Sequence, residues 1–205
     1  MKSLLAFIAA LFLLTPAATM AATPTVSPVT AADHVLGSPK AKITIIEYGS
    51  VACPICGRFS ATVMPELKAK YIDTGKVKYI FRPMLTGVPT IAVAGTRLAE
   101  CAGKDRYFDV VDRVMKGQAE FYAWGENDML ARPVLLRIAN EFGFNEDAYN
   151  KCVLDAAGIK AINLANDAAM KAGVNSTPTF YINGKRFDYK WTGIAEFDKA
   201  IAEAK

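Results

Sequence analysis

The sequence contains a single histidine and only four cysteines, and these low counts argue against a structural zinc site. Such a site normally takes four Cys or His ligands, and the chain has one Cys-x-x-Cys pair without a second such pair or a His pair. Lys and Arg are scattered, with no long basic run, and the net charge is +4. A nucleic-acid reader is expected to carry a basic stripe, so we expect no nucleic-acid partner, no metal and no cofactor.

Long hydrophobic runs are also scarce, and the only pronounced one lies at the start of the chain. Lys2 precedes an apolar run, Leu4–Leu14, which is too short to span a bilayer as a helix. Small residues follow, with Thr19 and Ala21 suited to the −3 and −1 positions of a signal-peptidase site. We therefore predict that residues 1–22 are a cleaved signal peptide, with a retained anchor as the alternative. The mature protein is then expected in an oxidising compartment, the periplasm.

The next part of the chain predicts a strand, a helix and a second strand. After a Pro, Thr and Ala-rich lead-in, Ile43–Tyr48 is β-branched and mostly apolar, as in a buried strand. Cys53–Tyr71 has the apolar spacing of a helix, and Val77–Phe81 is again strand-like. A strand–helix–strand unit of this length implies a parallel pair with a right-handed crossover.

Helical periodicity then continues until strand character returns near the end of the chain. Thr179–Ile182 is strand-like, and Asn183-Gly184 is a strong two-residue hairpin signal before a last predicted strand, Lys185–Trp191. A closing helix places Ile194, Phe197 and Ile201 on one face. The predicted helices between the strands follow the faces Ile91–Cys101 and Phe108–Met115 and the stretches Leu130–Phe142, Glu146–Leu154 and Ala161–Ala172, with Gly173 as a C-cap.

Strands on both sides of a helical block indicate an insertion into a single sheet rather than two separate domains. We therefore predict an α/β fold with an inserted helical domain. The predicted bounds are a lead-in segment at 23–36, of which Thr23–Ala32 reads as flexible, a sheet domain formed by 37–86 and 173–205, and the helical insertion at 87–172.

The group Cys53-Pro54-Ile55-Cys56 follows a predicted buried strand and begins a predicted helix. At a helix N-terminus, unpaired N–H groups and the macrodipole favour negative charge, so Cys53 is expected to be an exposed thiolate of low pKa. Pro54 fits the first helical turn, and Cys56, one turn in, is shielded and suited to resolve a mixed disulfide. A redox pair is the leading interpretation, and bound Zn²⁺ or Cu(I) and an inert loop staple are the alternatives.

The other two cysteines, Cys101 and Cys152, are isolated in the sequence. Four cysteines allow three pairings, and the spacing divides them naturally into 53–56 and 101–152. Both Cys101 and Cys152 fall on apolar helix faces, so a structural disulfide in the helical core is expected. Two unpaired core cysteines are the alternative.

Two further features point to the same site. Pro178 precedes a strand, and a cis Thr177–Pro178 bond would allow a tight approach to the sheet edge, whereas an arbitrary X–Pro bond is usually trans. Glu47 is a carboxylate in an otherwise apolar strand. If it is buried, its pKa is raised and it can exchange protons; otherwise it faces solvent or pairs with Lys42 or Arg82.

With these residues in place, the chain from about Asp33 onward resembles the DsbA family of periplasmic thiol:disulfide oxidoreductases, which belongs to the thioredoxin superfamily. The resemblance rests on several segments in the right order: Gly37-Ser38-Pro39-Lys40-Ala41, Ile43–Tyr48, Cys53-Pro54-Ile55-Cys56, Val63–Leu67, Phe81-Arg82-Pro83 and Thr177–Gly184. It implies a thioredoxin-like fold with an inserted helical domain. It also implies Cys53 as nucleophile, Cys56 as resolving cysteine, Pro178 as the cis-proline and Glu47 as the buried acid.

The resemblance has departures that affect the expected activity. Ile55 stands where strongly oxidising members carry a thiolate-stabilising His, and Thr177 before Pro178 also occurs in relatives that resemble isomerases. Those relatives dimerise through an extra N-terminal domain. The few mature residues before Ile43 leave no room for such a domain, so we expect a monomer. Cys101 and Cys152 resemble the additional helical-domain disulfide of a subset of DsbA proteins. The only histidine, His34, is expected at the surface.

The leading functional hypothesis is oxidation of reduced or unfolded exported proteins, with a DsbB-like membrane protein as the recycling partner that the resemblance implies. An isomerase or reductase, kept reduced by another partner, is the alternative enzyme. A thiol-based copper-binding or chaperone protein is the alternative of a different class.

Overall fold

The computed structural model describes residues 26–123, 131–188 and 190–204, so the predicted signal peptide lies outside the described residues. The described residues contain one five-stranded sheet with the strand order β1-β3-β2-β4-β5. Its strands are β1 (Val35–Leu36), β2 (Ile43–Gly49), β3 (Val77–Pro83), β4 (Thr179–Ile182) and β5 (Lys185–Arg186).

The central strand β2 joins the two ends of the chain. It pairs in parallel with β3 and antiparallel with β4, so that Glu47 lies opposite Phe81 on one side and Phe180 on the other. A strand with neighbours on both edges and helices over its faces is buried, which explains its nearly continuous apolar sequence. The predicted parallel pair and the predicted insertion into one sheet are both confirmed.

The helix predicted from Cys53 to Tyr71 is divided into three pieces. Helix α1 spans Pro54–Thr62, helix α2 spans Met64–Leu67, and a π-helical turn covers Lys68–Ile72. Pro65 has no N–H to continue the hydrogen-bond ladder, which accounts for the break near Val63. The three pieces still cover the predicted stretch and bury Phe59, Leu67 and Ile72 in the hydrophobic core.

Within the described ranges, six helices lie between β3 and β4, and we refer to them as the helical segment. They are α3 (Pro89–Ala102), α4 (Tyr107–Lys116), α5 (Gln118–Phe121), α6 (Ala131–Glu141), α7 (Glu146–Val153) and α8 (Ala156–Lys171). Helix α8 begins five residues before the predicted Ala161, because the side chain of Asp155 accepts a hydrogen bond from the N–H of Gly158 and caps it there. At its other end Gly173 has φ +86°, as expected of a C-cap glycine.

The lead-in is more ordered than its composition predicts. Residues 35 and 36 form strand β1 against β3, and Arg82 on β3 holds the preceding residues. Its guanidinium donates to both carboxylate oxygens of Asp33 and to the carbonyls of Ser27 and Pro28. The described residues of the predicted lead-in are thus held against β3, because the partly buried Arg82 supplies the hydrogen-bond partners that a polar segment needs.

The C-terminal hairpin is confirmed, but its second strand is shorter than predicted. Asn183 and Gly184 both have positive φ, +46° and +80°, as a type I′ turn requires. Strand β5 ends at Arg186 rather than Trp191. The N–H of Phe187 still donates to the carbonyl of Phe180 on β4 at 2.9 Å, and its ring stacks on Phe197 of helix α9 (Ala195–Glu203), with ring centroids 4.5 Å apart.

The helical segment and the sheet share one hydrophobic core, and the only histidine contributes to their contact. The side chain of His34 is 13% exposed, donates from Nε2 to the carboxylate of Glu100 at 3.0 Å, and stacks on Tyr107 with ring centroids 3.7 Å apart. The expectation of a surface histidine is wrong, since β1 places His34 over α3 and α4. In the part of the chain that the structure describes, no helix has the length and apolar character needed to cross a membrane.

Candidate active site

The two vicinal cysteines lie where a buried loop passes into α1. Residues 50–53, which we call the active-site loop, connect the end of β2 to that helix, and Cys53 is the N-cap with extended backbone (φ −85°, ψ 120°). Pro54 occupies the first helical position, as predicted. Cys53 is 7% exposed and thus less accessible than expected, while Cys56 is completely buried. Both are free thiols in this structure.

The two sulfurs have different surroundings, which shift the pKa values of the two thiols in opposite directions. A hydrogen bond from the Cys56 thiol, together with the Thr177 side chain and the backbone N–H groups of Cys56 and Ile55, lowers the pKa of Cys53 to about 5 against the opposing effect of burial. Burial raises the pKa of Cys56 well above its usual range, and the nearby Cys53 and Glu47 raise it further. One sulfur is thus a stable thiolate at neutral pH and the other stays protonated.

The loop before β4 closes over Cys53. The Thr177–Pro178 bond is cis, as predicted, and the Cys53 sulfur lies 3.5 Å from the carbonyl oxygen of Thr177. The Thr177 hydroxyl is held 2.6 Å from the hydroxyl of Thr86, a residue of the β3–α3 connection. Sequence reasoning missed Thr86, because nothing in its local pattern links it to a loop ninety residues later.

Glu47 is buried beneath the cysteines and does not face solvent, Lys42 or Arg82. It is 1% exposed, and the hydroxyl of Tyr79 donates a short hydrogen bond to its Oε2. Burial raises the pKa of Glu47 to about 8, and the charge of Cys53 adds to this, while the hydrogen bond from Tyr79 acts in the opposite direction. Strand alternation could have identified Tyr79, because it lies opposite Ile45 and therefore on the same face as Glu47.

A cavity of about 340 Å³ reaches Glu47 from the surface between α1 and α4. Ser60, Met64, Phe108 and Asp112 are among the residues that line it. Glu47 therefore lines a cavity whose other lining residues do not include Cys53, Cys56 or Pro178. A carboxyl group that titrates near neutral pH in such a position is able to exchange a proton with the thiol above it.

The remaining cysteines are bonded to each other away from this site. Cys101 on α3 and Cys152 on α7 form a disulfide with an S–S distance of 2.11 Å and Cα atoms 6.2 Å apart. The residues 26–123, 131–188 and 190–204 contain no group of three or more His, Cys, Asp or Glu side chains that could hold a metal ion. The site thus consists of two thiols, a buried carboxyl and the loop of a cis-proline.

Comparisons with known proteins agree with this geometry. The thioredoxin family profile matches residues 29–203. A protein of Rickettsia conorii that carries the provisional name protein-disulfide oxidoreductase is 32% identical over 177 residues, which are 84% of this chain and 62% of that protein. The chain therefore spans about three fifths of the length of that curated relative.

Solved structures show the same arrangement of elements. The crystal structure of alpha-DsbA1 from Wolbachia pipientis is 29% identical, with a TM-score of 0.73, over 86% of this chain and 92% of that one. Oxidised BdbD from Bacillus subtilis is 21% identical, with a TM-score of 0.64, over 84% and 92%, and supports the fold alone. The chain belongs to the thioredoxin family, and its fold is the DsbA-like form with helices inserted between β3 and β4.

Proposed function

We propose that the protein is a thiol:disulfide oxidoreductase that introduces disulfides into exported proteins through Cys53 and Cys56. The observation that carries the proposal is the opposite shift of the two thiols, with the pKa of Cys53 lowered to about 5 and that of Cys56 raised. A thiol that is ionised at neutral pH is both a nucleophile and a good leaving group in disulfide exchange.

The reaction begins from the Cys53–Cys56 disulfide. A substrate thiolate attacks the Cys53 sulfur, which breaks the bond to Cys56 and forms a mixed disulfide between substrate and Cys53. The Cys56 thiolate that leaves takes up a proton. A second substrate thiolate then attacks the substrate sulfur of the mixed disulfide and releases Cys53 as thiolate. The substrate has lost two electrons to the enzyme, which ends as the dithiol.

Each supporting residue has a role in this scheme. Glu47 supplies the proton to Cys56, since it lies beneath the pair and is protonated at neutral pH. Thr177 and Pro178 position the substrate backbone against Cys53, because their loop closes over that sulfur. Pro54 starts α1, and Ile55, which is 47% exposed, offers an apolar contact surface beside the nucleophile.

The oxidising direction follows from linkage between acidity and redox potential. Whatever stabilises the reduced thiolate relative to the disulfide raises the reduction potential and makes the pair a stronger oxidant. The lowered pKa of Cys53 acts in that direction. In this proposal the protein acts as a periplasmic monomer, reduced exported proteins are its substrates, and a DsbB-like membrane protein reoxidises it.

The proposal is tested in a metal-free assay with a peptide that contains two thiols. Wild-type protein, supplied as the Cys53–Cys56 disulfide, should oxidise the peptide stoichiometrically, whereas Cys53→Ser and Cys56→Ser cannot form that disulfide and should not oxidise it. When Cys53 of the Cys56→Ser protein is first converted to its glutathione mixed disulfide, it should release glutathione to a peptide with a single thiol and retain that peptide as the new mixed disulfide. A glutathione equilibrium then gives the direction, since a potential near about −120 mV indicates an oxidase and one near about −270 mV a reductase. Repair of a protein with scrambled disulfides at rates above oxidation would favour the isomerase. No turnover without copper would favour the metal-binding alternative.

A further inference from the structure

The helical segment makes hydrogen bonds to three consecutive carbonyl groups of the active-site loop. The side-chain amide of Gln118, at the start of α5, donates to the carbonyl oxygens of Val51 at 2.8 Å and Cys53 at 3.0 Å. The hydroxyl of Tyr122, just after α5, donates to the carbonyl between them, that of Ala52. Two side chains four residues apart therefore bind one short stretch of backbone.

The contact is built closely around Gln118. Both hydrogens of its NH₂ group are used, which is the full donor capacity of the amide, and the residue is only 8% exposed. On the other side of the amide, a Cβ added to Gly57 would collide with Gln118 Oε1. Glycine at position 57 thus allows the carboxamide to pack directly against the first turn of α1.

The same loop is held from the sheet side by the β3–α3 connection. The hydroxyl of Ser50 donates to the carbonyl of Thr86 at 2.7 Å, and the N–H of Ala52 donates to that hydroxyl at 3.2 Å. Gly87 has φ +82°, and a Cβ there would collide with the Ala52 carbonyl oxygen. The active-site loop is thus held from two sides. The β3–α3 connection holds it on one side, and Gln118 and Tyr122 of the helical segment hold it on the other.

One of the carbonyls held by Gln118 also begins α1. The N–H of Gly57 donates to the Cys53 carbonyl at 3.0 Å, which is the first hydrogen bond of the helix. The direction of this carbonyl fixes where the N–H groups of the first turn point relative to the Cys53 sulfur. A change at Gln118 is therefore passed directly to the groups that surround the reactive sulfur.

We propose that Gln118 and Tyr122 are positioning residues, through which the helical segment holds Cys53 at the N-terminus of α1 in the geometry that thiol exchange requires. The inference rests on the proposed function for its kinetic part. Neither side chain acts on the sulfur itself; both act through the backbone of Val51, Ala52 and Cys53. The inserted helices thus serve the chemistry of the site as well as cover it.

The test compares Gln118→Met, which keeps the length of the side chain without its donors, and Tyr122→Phe, which removes only a hydroxyl. Leu135→Ala is the control for lost stability, since Leu135 is buried on α6 and its truncation destabilises the helical segment while it leaves the hydrogen bonds of Gln118 and Tyr122 to the loop in place. For each reduced protein, the rate of Cys53 alkylation is followed against pH, and the rate of exchange with a dithiol peptide and the melting temperature are measured. The alkylation profile is a readout that a loss of stability alone does not move.

We expect Gln118→Met and Tyr122→Phe to raise the midpoint of the Cys53 titration by about one pH unit and to slow exchange by about tenfold. Leu135→Ala should lower the melting temperature at least as much and leave both quantities unchanged. If both variants keep the wild-type titration and exchange within twofold, or if Leu135→Ala shifts them equally, the inference is overturned. Should Gln118→Met fail to fold, Tyr122→Phe decides alone. A wild-type protein without exchange activity would refute the proposed function, while the titrations would still judge the positioning role.

Discussion

Replacement of Glu47 by glutamine should stabilise the protein, and the gain should grow as the pH rises. Burial raises the pKa of this carboxyl from an ordinary 4.5 to about 8 in the folded state. A group with a raised folded pKa costs no stability below the unfolded pKa, and the cost increases with pH until the folded pKa is passed. Since 2.5 pH units separate 4.5 from pH 7, at about 1.4 kcal/mol each, the cost at pH 7 is about 3 kcal/mol.

The Glu47→Gln substitution would remove this titration while keeping an oxygen for the Tyr79 hydroxyl to bind. The measurement is urea unfolding of the oxidised wild-type and Glu47→Gln proteins between pH 5 and pH 9, because in the oxidised form the Cys53 thiol does not titrate. Its charge then no longer adds to the raised pKa of Glu47, and burial, the largest cause, remains. The two free energies of unfolding should be close at pH 5 and diverge as the pH rises, by at most about 3 kcal/mol at pH 7. Glu66→Gln, at an exposed carboxylate on α2, is the control and should follow the wild type. If the free energies of unfolding of Glu47→Gln and the wild type differ by the same amount at every pH, the raised pKa of Glu47 is refuted.

Three further predictions concern the cysteines. In reduced protein at pH 6, Cys53 should be alkylated rapidly and Cys56 hardly at all, as judged by peptide mapping; faster labelling of Cys56 would reverse their roles. Replacing Cys101 and Cys152 together by Ala should lower the free energy of unfolding by about 4 kcal/mol in the chain-entropy model and leave Cys53 alkylation unchanged, whereas two free thiols in native protein would contradict the pairing. Ile55→His should raise the reduction potential by about 30 mV for each unit by which the Cys53 pKa falls, and an unchanged glutathione equilibrium would show that Ile55 does not limit oxidising power.

The parts of the site that sequence alone predicted are those specified by neighbours in the chain. Cys53 and Pro54 begin a helix after an apolar strand, and that local order is enough to place a thiol at a helix N-terminus. Asn183 and Gly184 readily adopt the positive φ that a type I′ turn requires, so these two residues favour a hairpin largely independently of the rest of the fold. Both features depend on conformational preferences that act over a few residues.

The parts that sequence did not predict depend on which surfaces meet in three dimensions. Gln118 and Tyr122 lie just beyond a predicted helical face, yet periodicity shows only which face is apolar and not which loop that face contacts. Strand β1 is two residues long, too short for an alternating pattern. The order of residues 26–36 depends on Arg82, whose hydrogen bonds are visible only once β3 is in place.

The pairing of β2 with β4 determines when, during folding, Cys53 reaches its full reactivity. Thr177, which contacts the Cys53 sulfur, follows it by 124 residues, so the contact belongs to the non-local class that forms late because a long loop must first be closed. The contribution of Thr177 to the low pKa of Cys53 is therefore gained only after β4 has paired with β2, whereas the contributions of Cys56 and of the backbone N–H groups of Ile55 and Cys56 come from neighbours in the chain. Pulsed alkylation during refolding should show this as a late rise in Cys53 reactivity at acidic pH. Until β4 pairs with β2, the Cys53 thiolate lacks the stabilisation from Thr177 and is a poorer leaving group, so full reactivity in thiol exchange follows completion of the sheet.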